Sequence, residues 1–272
     1  MTKKKFEDGV HVISNNDYHS SEGVSRSALW ELKKSPRHYW HKYIAETREH
    51  KEPTPAMVVG ELVHTLTLEP HMFDTAFVIA PEINRRTNAG KAEWEEFLAE
   101  SQGQTVITIA QLEQAQEIAG AVRDNPCALA LIDGAKIEHS IYFTHKETEL
   151  QFKARPDGWL GSMVSDLKTT QDAAFKAFQG SAIRYGYFLQ AAMIHQALKS
   201  LGIEMTEFIF LAAEKIEPYA MAIYNLDDEA LDYGLNQFNT LAEGLARCLD
   251  TNKWDDYPIQ AMTIPRWAEY EE

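Results

Sequence analysis

Apolar residues recur at helical spacing through 27–34, 37–45, 56–68, 89–100 and 109–124, and Pro126 interrupts before one further short helix. The first half of the chain is therefore predicted to be mainly helical. From residue 137 onward the runs 137–143, 149–155 and 162–168 predict short strands, bounded by turn residues. Helices are predicted next at 171–178 and 183–200, then β-rich runs at 207–213 and 219–224, then a long helix over 227–249 capped by Asp227 or Asp228. Helices, then strand, hairpin, helix and strand, predict an α/β core with a mixed central sheet, flanked by helices and wrapped by an added helical part. One domain spanning 1–272 is expected, mainly helical over 1–133 and sheet-bearing over 134–272. The polar stretches 46–54 and 84–90 read as mobile loops.

Two motifs in the strand-rich half carry chemistry. Arg155-Pro156-Asp157-Gly158 follows one predicted strand, Val164-Ser165-Asp166-Leu167-Lys168 ends the next, and Gly158 and Gly161 supply turn chemistry between them. A hairpin turn centred between Gly161 and Ser162 sets Asp157 across from Asp166, so two carboxylates meet at one end of one sheet and repel unless a cation joins them. Because side chains alternate across a strand, Asp166 and Lys168 share a face while Leu167 points into core, which leaves its carbonyl at the site. Taken alone, an Asp-Gly is commonly turn chemistry and an Asp-x-Lys a solvated pair; the spacing that unites them gives them weight. Gly60-Glu61-Leu62-Val63-His64 lies in a predicted helix that Pro70 ends. A lone helix histidine is more often structural, but beside two aspartates His64 becomes a third ligand candidate.

The set suits a hard divalent cation: Asp157, Asp166, His64 and the Leu167 carbonyl as ligands of Mg²⁺ or Mn²⁺. Glu138, on a strand-like run, is a secondary candidate for a second metal or for supporting a ligand. Such a site fits phosphodiester hydrolysis, with Lys168 orienting or helping to deprotonate the attacking water, its pKa lowered by partial desolvation beside the metal.

In order, Gly-x-x-x-His, Asp, Asp-x-Lys and a helix bearing Gln resemble the PD-(D/E)xK nuclease superfamily in its RecB-like branch. Glu138-His139-Ser140-Ile141-Tyr142, Asp166-Leu167-Lys168-Thr169-Thr170, Tyr185-Gly186-Tyr187-Phe188-Leu189-Gln190 and Ile264-Pro265-Arg266-Trp267-Ala268 are similar to RecE-type exonuclease domains. Ser25-Arg26-Ser27-Ala28-Leu29 with Ser35-Pro36-Arg37-His38-Tyr39 resembles the first helical motif of RecB-like nucleases, although it is also an ordinary capped helix. The resemblance implies the restriction-endonuclease-like core and a Mg²⁺-dependent 5′-to-3′ exonuclease on linear double-stranded DNA ends. It also implies 3′ single strands for recombination, a ring-shaped homo-oligomer (a tetramer) and a RecT-like annealing partner. It assigns roles to Gln190 and Tyr187, which share a helical face and either touch DNA or position Lys168. The pattern places Tyr four residues after the helical Gln; here that residue is Ile194, and Tyr187 covers part of its role.

A formal charge of −15 disfavours a broadly basic DNA-binding surface, so DNA is expected in a locally lined channel. Lys33, Lys34, Arg37 and Lys42 cluster near the first helices, Arg85, Arg86 and Lys91 in a loop, and Lys153, Arg155 and Arg184 near the proposed site. Arg26, Arg37, Arg155 and Arg184 are the candidate DNA contacts. Only Cys127 and Cys248 are present, too few for a four-thiolate iron–sulfur cradle, so no such cluster is expected. No apolar run of about 18 residues occurs and the basic start lacks an apolar stretch behind it, so a cytoplasmic protein without a membrane span is expected. An endonuclease or flap nuclease on the same core, and a catalytically silent DNA-end-binding or scaffold module, are the alternatives.

Overall fold

A computed structural model describes residues 4–45 and 53–264. Polar residues 46–52 and the 265–268 part of the closing motif lie outside the described residues.

The N-terminal part begins with strand β1 (Gly9–His11) and helix α1 (Asn15–Ser20), then α2 (Arg26–Lys34) and α3 (Pro36–Tyr39), which continues as a π-turn over Trp40–Ile44. Ser25 caps α2 and Ser35 caps α3, each accepting a backbone N–H with its hydroxyl, and Pro36 occupies the first turn of α3. Next come α4 (Pro55–Leu68), a 3₁₀ turn (Pro70–Met72), α5 (Phe73–Ala76), β2 (Phe77–Ile79), α6 (Asn88–Glu100), β3 (Thr105–Ile107), α7 (Ile109–Arg123) and α8 (Pro126–Ile132). Strands β4 (Lys136–Ile137), β5 (Ser140–Thr144), β6 (Gln151–Ala154), β7 (Gly158–Leu160) and β8 (Met163–Thr170) precede α9 (Phe175–Tyr185) and α10 (Tyr187–Ser200). Strands β9 (Glu207–Glu214) and β10 (Met221–Asn225) and the long α11 (Asp228–Thr251, capped by Asp227) follow.

A five-stranded mixed sheet in the order β10-β9-β8-β7-β4 forms the centre, with β8 and β9 parallel and the other pairs antiparallel. Period-2 alternation divides its residues between two cores. Val164, Phe208, Phe210 and Ala212 face α2, α10 and α11, whereas Leu167, Ile209, Leu211 and Ala213 face α4, α7 and α8. Strands β1, β5 and β6 form a separate antiparallel sheet, and β2 and β3 a parallel pair. The mixed sheet flanked by helices is the architecture that the sequence pattern predicts.

Three boundaries differ from that pattern. The run 137–143 is two strands in different sheets, because Glu138 takes a left-handed φ of 52° and turns the chain. The hairpin partner of β8 is β7 rather than the 149–155 run: β6 pairs with β5, and the chain leaves that sheet at Pro156, which has no N–H to donate. The register Gly158↔Ser165, Trp159↔Val164 and Leu160↔Met163 nonetheless turns on Gly161 (φ 62°) and Ser162, which brings Asp157 opposite Asp166. Finally, one helix runs from Phe175 through Tyr185, and the break before α10 falls at Gly186, φ 73°.

That glycine is fixed twice over, since a Cβ there would lie 2.5 Å from the Trp30 ring. Gly186→Ala is expected to cost on the order of 2–4 kcal/mol, from the left-handed backbone and from overpacking. Denaturant unfolding checks this, and a loss below about 0.5 kcal/mol would show that the junction relaxes freely.

Candidate metal centre and active site

His64, Glu138 and Asp157 each place a ligand atom within 4.8 Å of the others. His64 projects from α4, and its Nδ1 lies 3.5 Å from Asp157 Oδ2. Asp157 sits between β6 and β7, where Leu167 N–H donates to its Oδ2 at 2.7 Å. A strand residue sends its N–H and C=O to the same edge, so the Leu167 carbonyl also faces the space beyond the end of β7. Glu138 reaches the cluster through its left-handed turn, and its N–H donates to the Asp157 carbonyl at 3.3 Å. A non-glycine residue held in this conformation stores backbone strain, a feature that concentrates at functional positions.

Asp166 stands beside this trio, outside it. The carboxylate is fully buried; Oδ1 accepts from Gln190 Nε2 at 2.6 Å and Oδ2 is ion-paired with Lys168. Of the residues expected as ligands, His64 and Asp157 stand together with the secondary candidate Glu138, and Asp166, engaged by Gln190 and Lys168, stands next to them. Gln190 thus touches Asp166 directly and reaches Lys168 only through it. Tyr187, one turn earlier on α10, lays its ring 5.2 Å from Lys168 Nζ. Ile194, where the family pattern has Tyr, is buried in the core.

The electrostatics follow from burial and like charge. Burial and the neighbouring Asp157 push the Glu138 carboxyl up to about 8, against the opposing pull of Arg155. Burial pushes Asp166 up to about 6, with Lys168 opposing and Asp157 adding to the rise. Burial alone would lower the Lys168 pKa, but the Asp166 and Asp157 carboxylates outweigh it and the net shift is upward. The lowered pKa expected for Lys168 was tied to a neighbouring cation; with the two carboxylates alone as neighbours the shift runs upward. Crowded carboxylates, one imidazole and an edge carbonyl make a donor set that fits a hard divalent cation, whose charge would relieve the repulsion.

The basic residues divide by their partners. Arg155, expected as a DNA contact, is only 7% exposed and its donors are engaged by Glu138 Oε2 at 3.6 Å, Ser140 Oγ at 2.9 Å and the Ile13 carbonyl at 2.9 Å. It fixes Glu138 and the N-terminal segment, and these partners occupy the donors expected for DNA. Lys153 is likewise buried, donating to the Tyr18 and Ser21 carbonyls and to Ser21 Oγ. Arg26 donates to the Tyr185 carbonyl at 3.1 Å, while Arg37 and Arg184 are exposed. Sequence reasoning missed the wall that Lys153 and Arg155 hold in place. Tyr18, His19 and Arg26 line a cleft of about 760 Å³ that Glu138, Arg155 and Gln190 also border. The available signal was a polar residue, Lys153, placed among apolar neighbours on a strand.

If the trio holds a cation, saturating Mn²⁺ or Mg²⁺ must raise the unfolding temperature. A hundredfold excess over Kd stabilises by about 2.7 kcal/mol, on the order of 5–10 °C for a chain of this size. Thermal unfolding with metal and with EDTA reads this, and identical midpoints would exclude a bound cation.

Among solved structures the chain is similar to a "Putative exonuclease" from Eubacterium rectale, with TM-score 0.64 and 14% identity, over 96% of this chain and 99% of that one. It is also similar, at TM-score 0.30 and 14% identity over 85% of this chain and 92% of that one, to LHK-Exo in complex with dAMP, a likeness too low to carry an argument. No curated protein matches the sequence. The fold built around Asp157 and Asp166-Leu167-Lys168 has its counterpart in sequence, because residues 25–262 match the family described as "PDDEXK-like domain of unknown function (DUF3799)", and the chain belongs to that family.

Proposed function

We propose that this protein is a divalent-metal-dependent nuclease, acting as a 5′-to-3′ exonuclease on the ends of linear double-stranded DNA. The observation that carries the reading is the adjacency of two groupings on one sheet end: the His64–Glu138–Asp157 trio and the buried Asp166–Lys168 pair. A bound Mg²⁺ or Mn²⁺ supplies the charge that neutralises the scissile phosphate and activates water. Around it the chain's own residues have separate tasks. His64, Glu138, Asp157 and the Leu167 carbonyl, with Asp166 beside them, would hold the cation, and Lys168 would donate to the attacking water or to the phosphate oxygen. Gln190 fixes Asp166, which in turn fixes the Lys168 ammonium. Tyr187 shields that pair from solvent.

Polarity, the 3′ single-stranded product and its use in recombination rest on the resemblance to RecE-type domains. So do a homo-oligomeric ring, a RecT-like annealing partner, and residues 1–272 acting as one exonuclease domain. Duplex DNA labelled at the 5′ or the 3′ end, and a covalently closed circle, separate the possibilities. Early release of the 5′ label from linear DNA only is the expected result. Early release of the 3′ label would reverse the polarity, and cutting of the circle would make the enzyme an endonuclease.

A further inference from the structure

The segment from α2 to the π-turn carries five cations, Arg26, Lys33, Lys34, Arg37 and Lys42, against one carboxylate, Glu31, a segment charge of +4 in a chain of −15; residues 254–257, with Asp255 and Asp256, pack against α3, where the Asp255 carbonyl accepts from Arg37 N–H at 3.0 Å. Arg26, Trp30 and Lys33 fall at i, i+4 and i+7 and form one stripe of α2, turned roughly 120° from the core stripe of Ala28, Leu29 and Leu32. Cations and rings alternate along the chain here. Lys33 Nζ lies 4.1 Å from the Trp30 ring centroid, and beyond Ser35 the Arg37 guanidinium lies 5.4 Å from Trp40. Trp30 and Trp40 are half-buried, so each is anchored on one side and reachable on the other. Among the described residues no carboxylate lies within ion-pair distance of Lys33, Arg37 or Arg184. The stripe begins at the site: Arg26 borders the cleft and binds the carbonyl of Tyr185, whose ring is 51% exposed two residues before Tyr187.

From this juxtaposition we infer that the α2–α3 surface is a stacking platform for single-stranded nucleic acid, leading away from the cleft. Alternating rings and cations serve a strand whose bases are unstacked, since the rings take the base faces and the cations the phosphates. A closed duplex keeps its bases inside and would use the cations alone. The acidic remainder of the surface confines such binding to this stripe. The inference rests on the nuclease reading only for the origin of the strand.

The test is fluorescence anisotropy of a labelled oligothymidylate on the full chain in EDTA, which needs no turnover. Trp40→Ala is expected to weaken binding about 5- to 100-fold, the range of one base–aromatic stack, and Trp40→Phe to restore most of it. Lys33→Gln with Arg37→Gln should lower the salt slope of log K by about 1.4. Unchanged melting temperatures and circular dichroism establish that the variants fold. A closed circular duplex should bind Trp40→Ala as it binds the native chain. Failure of the native chain to bind the oligonucleotide, or native-like binding by Trp40→Ala, would overturn the platform. Equal loss of the oligonucleotide and the circle in every variant would reduce it to a general basic patch and overturn it as well. Nucleotide release with Mg²⁺, measured separately, judges the nuclease reading: release with an inert platform defeats this inference alone, and a working platform without release defeats only the nuclease.

Discussion

Replacing Lys168 with alanine is expected to lower nucleotide release at saturating Mg²⁺ by about 10²- to 10⁴-fold, the usual contribution of a positioned proton-transfer or charge-donating group. Lys168 is not a member of the metal trio, so the metal-induced rise in melting temperature should persist. The variant separates two roles that are often confused. A residue that only built the site would take metal affinity down with activity, whereas Lys168 should leave affinity near its native value. Since the ammonium also neutralises the fully buried Asp166, its loss leaves that carboxyl to take up a proton in the fold. Calorimetric Mn²⁺ titration alongside the activity assay checks the split, and a parallel loss of both would assign Lys168 to structure.

Asp157→Asn should have the opposite signature. The amide keeps an oxygen that can accept from Leu167 N–H, so the sheet end stays closed, but the ligand charge at the centre of the trio disappears. Activity is expected to fall at least about 10²-fold, and the metal-induced thermal shift of about 2.7 kcal/mol at a hundredfold excess should vanish. Without metal, the variant should be at least as stable as the native chain near neutral pH, because Asp157 is one of the charges that raise Glu138 and Asp166. Melting curves in EDTA and in Mn²⁺ measure both effects. A native thermal shift in this variant would move the cation elsewhere.

The parts of this site that were legible in the sequence are those set by local rules. Turn chemistry at Gly161 and Ser162 sets a register, and the register brings Asp157 opposite Asp166. Two-residue alternation puts Leu167 in one core and Asp166 on the side of Gln190. Tertiary forces decide what was not legible. Glu138 looks like a surface strand glutamate until a left-handed turn carries it to Asp157, and no propensity announces that turn at Glu-His. Arg155 reads as a cation available to DNA, yet a long side chain beside a buried carboxylate finds partners at Glu138, Ser140 and Ile13 before it finds solvent. The alternation over 149–155 reads as the hairpin partner of β8, but Pro156 ends that strand and the partner is the short β7 beyond it. In the α9–α10 pair the signal was present in Gly186, but the helical period runs on through it.

In the proposed reaction, the groups gathered around Asp157 and Asp166 cut phosphodiester bonds with a divalent cation. Acid-soluble nucleotide release from linear duplex DNA, in Mg²⁺ and in EDTA, with the native chain and Lys168→Ala side by side, tests it most directly. Release by the native chain in Mg²⁺ alone, and almost none from the variant, is the expected result. Release that persists in EDTA, or that Lys168→Ala supports at the native rate, would contradict it.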